Sequence, residues 1–189
     1  MRKLLTTLAA LALVLTMAAP AGAFQNNTAV FTIGSTTYTV NGVAHQMDVA
    51  PVIVNGRTLL PIRYAAYGMG IPDKDIQYLS QSRVPGYAQD QEVDITQRVH
   101  QGQFNYTDTV VILYSYNDLS DAKVTGTIDG TQFGPVHVLD AQYGVPPQVI
   151  NGRLMMPLRS ISDQTNASLV WNGNIDQVTI TAPVVSDAN

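Results

Sequence analysis

Short hydrophobic runs alternate along this chain with Gly, Asn, Asp and Pro, a pattern typical of β-strands joined by tight turns. The strongest run is Val110–Tyr116, which is rich in β-branched and aromatic residues. Four shorter runs flank turn dipeptides, with Val30–Ile33 and Thr37–Val40 around Gly34-Ser35, and Lys123–Ile128 and Thr131–Phe133 around Asp129-Gly130. The pattern predicts a chain made mostly of β-strands.

One segment of the pattern occurs twice. Asp48–Arg63 reads DVAPVIVNGRTLLPIR, and Gly144–Arg159 reads GVPPQVINGRLMMPLR, at an offset of 96 residues. Val, Pro, Asn, Gly, Arg, Pro and Arg are identical at matched positions, and most other pairs are apolar in both copies. Agreement of this kind indicates a duplicated structural unit.

Each copy predicts a β-hairpin. Asn55-Gly56 and Asn151-Gly152 are the residues that a two-residue type I′ turn favours, because both of its central positions take positive φ. The return strands are predicted at Arg57–Leu60 and Arg153–Met156. Pro51 and Pro147 precede the two hairpins at matched positions.

A short helix is predicted after each hairpin. Pro61 and Pro157 suit the first turn of a helix, where the N–H that proline lacks would be unpaired. The helices are expected over about 61–69 and 157–165, and Gly70 and Asn166 are suited to the left-handed conformation that ends a helix.

Two further strands are predicted after each helix. In the second copy these are Leu169–Trp171 and Val178–Ile180, with a turn at Asn172-Gly173. In the first copy they are Ile76–Leu79 and Val93–Ile95, separated by a polar loop insertion over residues 80–91. The predicted fold class is mostly β (α+β), with one repeat over residues 24–105, a second over 106–182, and a polar tail over 183–189.

The N-terminal segment, residues 1–23, is predicted to be a secretory signal peptide. Arg2 and Lys3 precede an uncharged apolar run, and Ala21-Gly22-Ala23 has the small residues of a cleavage site. The chain has no Cys and a net charge of −4, which argues against disulfides, thiol chemistry and nucleic-acid binding. We therefore expect a secreted, cell-surface-associated protein with no membrane span after signal removal.

The duplicated unit resembles the copper amine oxidase N-terminal-like domain, a stalk domain of exported bacterial proteins. The resemblance rests on these residues: Pro51, Asn55, Gly56, Arg57, Pro61 and Arg63, then Pro147, Asn151, Gly152, Arg153, Pro157, Arg159 and Trp171. It implies an appendage that is distinct from the catalytic domain of those oxidases. The first copy departs from the pattern after its helix, where it lacks the Trp and carries the insertion.

The sequence offers no assembled catalytic set. Tyr106 is followed by Thr107 rather than the acid found beside the cofactor-forming Tyr of amine oxidases, and His45, His100 and His137 are isolated. We therefore expect a protein that is not an enzyme and has no cofactor and no metal site. A metal-dependent accessory role in amine oxidation is the third alternative.

The candidate binding residues are arginines and tyrosines of the repeat. Arg63 and Arg159 are candidates for binding a cell-wall polymer, because guanidinium groups hold carboxylate and phosphate in a bidentate manner. Tyr64 and Tyr67, three apart on the first predicted helix, are candidates for stacking on sugars. The alternative is that the repeated arginines support the fold, since a repeated fold repeats its internal contacts.

The function expected from these features is that of a non-catalytic structural or interaction protein outside the cell. Only 13% of residues are charged, so exposed strand edges have few charges to block pairing with other chains. Val110–Tyr116 and the segment Phe24–Ile33 are the strands expected to add to a neighbouring sheet and give homo-oligomers or filaments. The alternative is a cell-wall polymer or carbohydrate binding module, and the expected partners are wall polymer or other surface proteins.

Overall fold

The computed structural model describes residues 26–101, 104–128, 131–165 and 167–183. The predicted signal peptide, the turn at Asp129-Gly130, the helix-ending Asn166 and nearly all of the polar tail lie outside these residues. Within them, no helix combines the length and the apolar character needed to cross a membrane.

The order of elements contains the hairpin and its following helix once in each half. The first half contains β1 (Asn26–Thr32), β2 (Thr37–Val40), β3 (Val43–Gln46), β4 (Val52–Val54), β5 (Arg57–Pro61), α1 (Ile62–Gly68), a 3-10 turn (Asp73–Asp75), β6 (Ile76–Leu79) and β7 (Gln91–Gln101). The second half contains β8 (Phe104–Ser115), β9 (Asp118–Ile128), β10 (Thr131–Val138), α2 (Leu139–Tyr143), β11 (Gln148–Ile150), β12 (Arg153–Pro157), α3 (Leu158–Ser162), β13 (Ser168–Asn172) and β14 (Gln177–Pro183).

These strands form three antiparallel sheets. Sheet I has the order β13-β14-β1-β2-β3, sheet II has the order β11-β12-β5-β4, and sheet III has the order β10-β9-β8-β7-β6. The predicted fold class, mostly β with short helices, is confirmed.

Both predicted hairpins are present with the predicted turns. Asn55 and Gly56 have φ of 49° and 72°, and Asn151 and Gly152 have φ of 50° and 75°. A third pair of the same kind, Asn41-Gly42, joins β2 to β3, a strand that the hydrophobic pattern did not reveal. The turn predicted at Asn172-Gly173 is instead a four-residue connection, in which the Asn172 side chain accepts a hydrogen bond from the Asn174 N–H.

The helices begin directly after the two prolines and are shorter than predicted. α1 ends before Gly70, which has φ of 82° as expected of a helix-ending residue. α3 ends at Ser162 instead of continuing to Thr165. The Thr165 hydroxyl bonds to the carbonyls of Ile161 and Ser162, an arrangement by which Thr side chains compete with regular helix. α2 was not predicted.

The two strands that were expected to pair with another chain, at Val110–Tyr116 and Phe24–Ile33, are not terminal strands of their sheets. β8, which contains most of Val110–Tyr116, pairs with β7 on one side and β9 on the other. β1 likewise lies between β14 and β2. Their backbone groups are already paired within the sheets, so the expectation that these strands add to another sheet is wrong.

The two halves are related by a local two-fold axis, and strands of both halves pair within the same sheets. In sheet II, β5 pairs with β12 in a register that sets Leu60 opposite Met156, which are matched positions of the repeat. Met69 and Thr165, another matched pair, are in contact through a hydroxyl–sulfur hydrogen bond of 3.7 Å. Sheet I contains three strands of the first half and two of the second. Sheet III contains two strands of the first half and three of the second.

A continuous hydrophobic core connects these sheets. It includes Phe31 and Ile180 from sheet I, Leu60 and Met156 from sheet II, and Ile95 from sheet III, all almost fully buried. The helices α1 and α3 supply Ala65 and Ile161, among others, to the same cluster. Because both halves contribute to one core, the described residues of the two repeats pack as one body.

Candidate functional site

The two hairpin arginines each reach across to the other half of the molecule. The Arg57 Nε donates a hydrogen bond of 2.8 Å to the carbonyl of Tyr143, the last residue of α2. The Arg153 Nε donates one of 2.7 Å to the carboxylate of Asp48. Asp48 is matched to Gly144, the residue after Tyr143, so the two arginines reach adjacent positions of the matched segments.

The two helix arginines differ in their surroundings. Arg63 forms an ion pair of 3.3 Å with Asp73, and its guanidinium lies 5.5 Å from the centre of the Tyr78 ring. The exposed Arg159 has no ion pair or side-chain hydrogen bond within the described part of the chain. At the offset of 96 residues, the second copy has Leu169 where the first has Asp73, so this acid is missing beside Arg159.

Tyr64 and Tyr67 are held by contacts within the molecule. The Tyr64 hydroxyl accepts a hydrogen bond of 3.3 Å from the Asp48 N–H, and its ring contacts Tyr38 edge-on at 5.9 Å. The Tyr67 hydroxyl donates one of 2.7 Å to Asp73. Burial, followed by this carboxylate, raises the pKa of Tyr67. The four candidate polymer-binding residues are thus divided, with Arg63, Tyr64 and Tyr67 on one side and Arg159 apart.

The other residues of the repeat motif form its turns and corners. The four turn residues Asn55, Gly56, Asn151 and Gly152 are exposed. The four prolines Pro51, Pro61, Pro147 and Pro157 are buried, and the Pro51 carbonyl accepts a hydrogen bond of 2.9 Å from the Gly34 N–H.

Arg159 lines an open groove between the halves, with a volume of about 580 Å³. Ile53 and Arg57 come from the first half, and Arg159 and Trp171 from the second. Its deeper part is formed by buried side chains, namely Tyr143, Leu158 and Val178. The Trp171 side chain is 46% exposed, which leaves its ring accessible for stacking.

The second copy of the repeat has smaller side chains on its helix than the first copy, which favours a groove beside the second copy. Ser160 and Asp163 of the second copy match Tyr64 and Tyr67 of the first. The small Ser160 side chain turns back to the Pro157 carbonyl at 2.7 Å, whereas the Tyr64 ring extends to Asp48. The second copy therefore lacks the two large rings at the positions that they occupy in the first.

The groove brings together two cations and two aromatic side chains. Arg57 lines the groove and is held by the hydrogen bond from its Nε to the Tyr143 carbonyl. Burial, followed by the negative charge of Asp163, raises the pKa of the Tyr143 phenol. Guanidinium groups bind carboxylate or phosphate, and an indole ring can stack on the apolar face of a sugar. A groove lined by both suits a sugar polymer that carries carboxylate or phosphate groups.

Sequence reasoning placed Arg159 among the binding residues and Trp171 only in the repeat motif. It missed Ile53, Tyr143 and Leu169, which also line the groove. The offset of 96 residues contained a usable signal, because Tyr64, Tyr67 and Asp73 are matched by Ser160, Asp163 and Leu169. The second copy lacks two rings and has its acid at Asp163 instead of at the position of Asp73, which indicates where the two copies differ in surface chemistry.

The described residues do not fit a copper centre. Copper in proteins prefers imidazole ligands, yet His45 lies on β3 of sheet I and His137 on β10 of sheet III. The side chain of His100 lies outside the described part. Residues whose side chains are described include no group of three His, Cys, Asp or Glu suited to hold a metal ion.

The family model described as copper amine oxidase N-terminal domain matches residues 22–83 and 137–185, more than half of the chain. These two ranges contain both hairpins and the helices that follow them, and they leave out most of sheet III. No curated protein and no solved structure matches the chain.

Proposed function

The chain belongs to the copper amine oxidase N-terminal domain family, and from this premise we propose that it is an exported, non-catalytic interaction protein of the cell surface. Its groove binds an anionic sugar polymer, as expected of a wall component. The signal-like residues 1–23 support export, and the likeness to a domain distinct from the catalytic one supports a binding role.

The observation that carries this proposal is that Arg159 and Trp171 line the same open groove. Arg159 forms no ion pair within the described residues, so its guanidinium group is available to a carboxylate of the ligand. The indole offers an apolar face for a sugar ring. Arg57, fixed by its bond to Tyr143, supplies a second positive charge at a defined place.

Trp171 allows a direct test, because it is the only Trp of the chain and lies in the groove itself. Polygalacturonate, a sugar polymer with carboxylates, is expected to change the Trp fluorescence of the purified protein in a saturable and salt-sensitive way. Neutral dextran is expected to have little effect. An equal response to both polymers, or none to either, would contradict the proposal.

Two variants distinguish polymer binding in the groove from binding elsewhere on the surface. Arg159→Ala is expected to weaken binding about tenfold, the effect of losing one charge-assisted hydrogen bond. Arg63→Ala removes the matched arginine, which is paired with Asp73, and is expected to leave affinity nearly unchanged. If both variants lose affinity equally, general positive charge rather than the groove is responsible.

Self-association through strand edges is the second candidate function. Among the described strands, β3 and β13 are the terminal strands of sheet I. All four residues of β3 are exposed, and Val43 and Val170 are 61% and 63% exposed. Uncharged terminal strands with exposed valines are suited to pairing with another copy.

This candidate predicts concentration-dependent oligomers or filaments, detected by size-exclusion chromatography and electron microscopy. Val43→Lys is expected to suppress them, because a charge on a terminal strand opposes pairing. Ile175→Lys changes another exposed hydrophobic residue, in the β13–β14 connection, and is expected to have no effect. A protein that remains monomeric at high concentration would exclude this function.

A further inference from the structure

A tyrosine cluster, formed by Tyr78, Tyr114 and Tyr116, lies near the C-terminal ends of β6 and β8 in sheet III. Tyr78 is on β6, Tyr114 is on β8, and Tyr116 directly follows β8. Tyr78 and Tyr116 are 46% and 57% exposed, whereas Tyr114 is buried. None of the three lines the groove, so this surface is separate from it.

The strand register places the cluster on one face of sheet III. Tyr78 is paired with Val93, and Val93 with Ile112, so Tyr78 shares the face of Ile112. Tyr114 is two residues after Ile112 and lies on the same face, because side chains alternate along a strand. The Tyr116 ring meets the Tyr114 ring edge-on, with 5.2 Å between ring centres. Burial, followed by the Tyr116 hydroxyl and then Tyr78, raises the pKa of Tyr114, so the three phenols lie near one another.

The charges beside the exposed rings disfavour an anionic ligand. Arg63 lies over the Tyr78 ring, 5.5 Å from its centre, but it is neutralised by its ion pair of 3.3 Å with Asp73. Asp118, two residues after Tyr116, is an exposed carboxylate. Like charges brought together at an interface oppose binding. An uncharged ligand is therefore favoured here, in contrast to the groove.

The chemistry of the exposed rings favours a sugar. A tyrosine ring has an apolar face that can pack on the C–H groups of a sugar, and its hydroxyl can donate and accept hydrogen bonds with sugar hydroxyls. β6 and β8 lie on either side of β7, so these two strands are about 10 Å apart. A ligand that contacts both exposed rings must therefore be an extended chain.

We propose that Tyr78 and Tyr116 bind a neutral, β-linked sugar chain by stacking, at a site distinct from the groove. Glucose units joined by β-1,4 bonds form a flat ribbon with C–H groups on its faces, whereas α-1,6 bonds give a flexible chain without such a ribbon. Tyr114 and Tyr116 lie in residues 84–136, outside the ranges that the family model matches, so the family match does not include this site.

Cellohexaose, a neutral β-1,4-linked hexasaccharide, is the probe for this site, used with the purified protein and followed by NMR. Saturable shifts are expected for the ring signals of Tyr78 and Tyr116, and none for the Trp171 indole of the groove. Isomaltohexaose is equal in size but α-1,6-linked, and hexagalacturonate is charged, so both are expected to leave the two tyrosines unchanged.

Three outcomes would overturn the proposal. These are the absence of a saturable shift with cellohexaose, equal shifts with all three sugars, and tyrosine shifts that depend on protein concentration alone. The last would identify the surface as an interface between copies of the chain. None of these outcomes bears on the groove, whose ligand is followed through Trp171.

Substitutions test the cluster itself. Tyr116→Ala is expected to weaken cellohexaose binding about tenfold, because one stacking ring is lost, whereas Tyr116→Phe keeps the ring and most of the affinity. Tyr87→Ala removes a ring that lies against Lys123, and Lys123 is paired with Leu113 on the opposite face of sheet III. This control is expected to bind as the wild type does. Unchanged binding by Tyr116→Ala, or an equal loss with Tyr87→Ala, would exclude the cluster as the binding surface.

Discussion

At the scale of single residues, two buried carboxylates hold the loop of residues 80–90 against sheet III. Glu92 accepts hydrogen bonds from the Ser82 hydroxyl, the Arg83 N–H and the Arg83 Nε, at 2.8, 2.8 and 3.0 Å. Arg83 also pairs with Asp94. Burial alone would raise the pKa of Glu92, but these hydrogen bonds outweigh it and the pKa is lowered.

Asp94 gives the protein a stability that depends on pH. Burial, and then the charge of Glu92, raises its pKa to about 7, against the influence of Arg83. Because the folded state holds this proton more tightly than the unfolded state, the contribution of Asp94 to stability is complete below its ordinary pKa of 3.8 and is lost as pH rises through 7. Asp94→Asn is expected to reduce the loss between pH 5 and pH 8 by about 2 kcal/mol in urea unfolding.

Exposed carboxylates supply the control for this measurement. Asp121→Asn alters an exposed acid beside Lys123 and is expected to leave the pH dependence unchanged. Asp108, whose pKa burial raises to about 6, contributes in the same direction and remains in both variants. If Asp94→Asn and wild type lose stability in parallel, Asp94 is not the titrating group.

At the scale of elements, the arginine of each hairpin stabilises the junction with the other half. Arg57 satisfies a carbonyl at the C-terminus of α2, where backbone acceptors lack partners within the helix. Arg153 instead pairs with the partly exposed Asp48. Exposed ion pairs contribute little, because water screens them. Matched positions of the repeat thus make contacts of unequal strength.

Arg57→Ala is therefore expected to lower the free energy of unfolding by about 1 kcal/mol, because the Tyr143 carbonyl loses a charged donor. Arg153→Ala is expected to lower it less. Both are measured by urea unfolding at neutral pH, and Arg57→Lys provides the matched control that keeps the charge but changes the donor geometry. Equal losses for the two alanine variants would contradict this account.

At the scale of the whole molecule, the exchange of strands makes the two halves dependent on each other. Sheet I requires β1 to pair with β14 over seven residue pairs, from Asn26↔Pro183 to Thr32↔Gln177. Sheet III requires β7 to pair with β8 over eleven. The buried residues of α1 and α3 lie in the one core that these sheets share. Neither half can bury its own apolar residues in this arrangement.

A chain divided between β7 and β8 is accordingly expected to give two fragments that do not fold as monomers. Mixing the fragments is expected to restore the dispersed NMR spectrum of the intact protein, since each supplies the strands that the other lacks. As a control, the intact chain is unfolded and refolded under the same conditions. A fragment that is folded and monomeric alone would show that the exchange is not required for stability.

The sequence was sufficient to predict features that depend only on residues close together along the chain. The Asn-Gly turns of the duplicated hairpins, a proline directly before each following helix and Gly70 after the first helix depend on backbone preferences of single residues, and these are present, whereas Asn172-Gly173 belongs to a longer connection. The duplicated hairpin and helix, and hence the mostly-β fold class, could be predicted in the same way.

Tertiary structure alone decided which strands are terminal, because the residue pattern within a strand does not specify which other strands pair with it. Val110–Tyr116 has the strongest strand pattern and lies in the middle of sheet III. Likewise, the groove brings together Ile53 and Trp171, which lie far apart along the chain. Such sites arise from the pairing of segments distant along the chain, which the local pattern of residues does not encode.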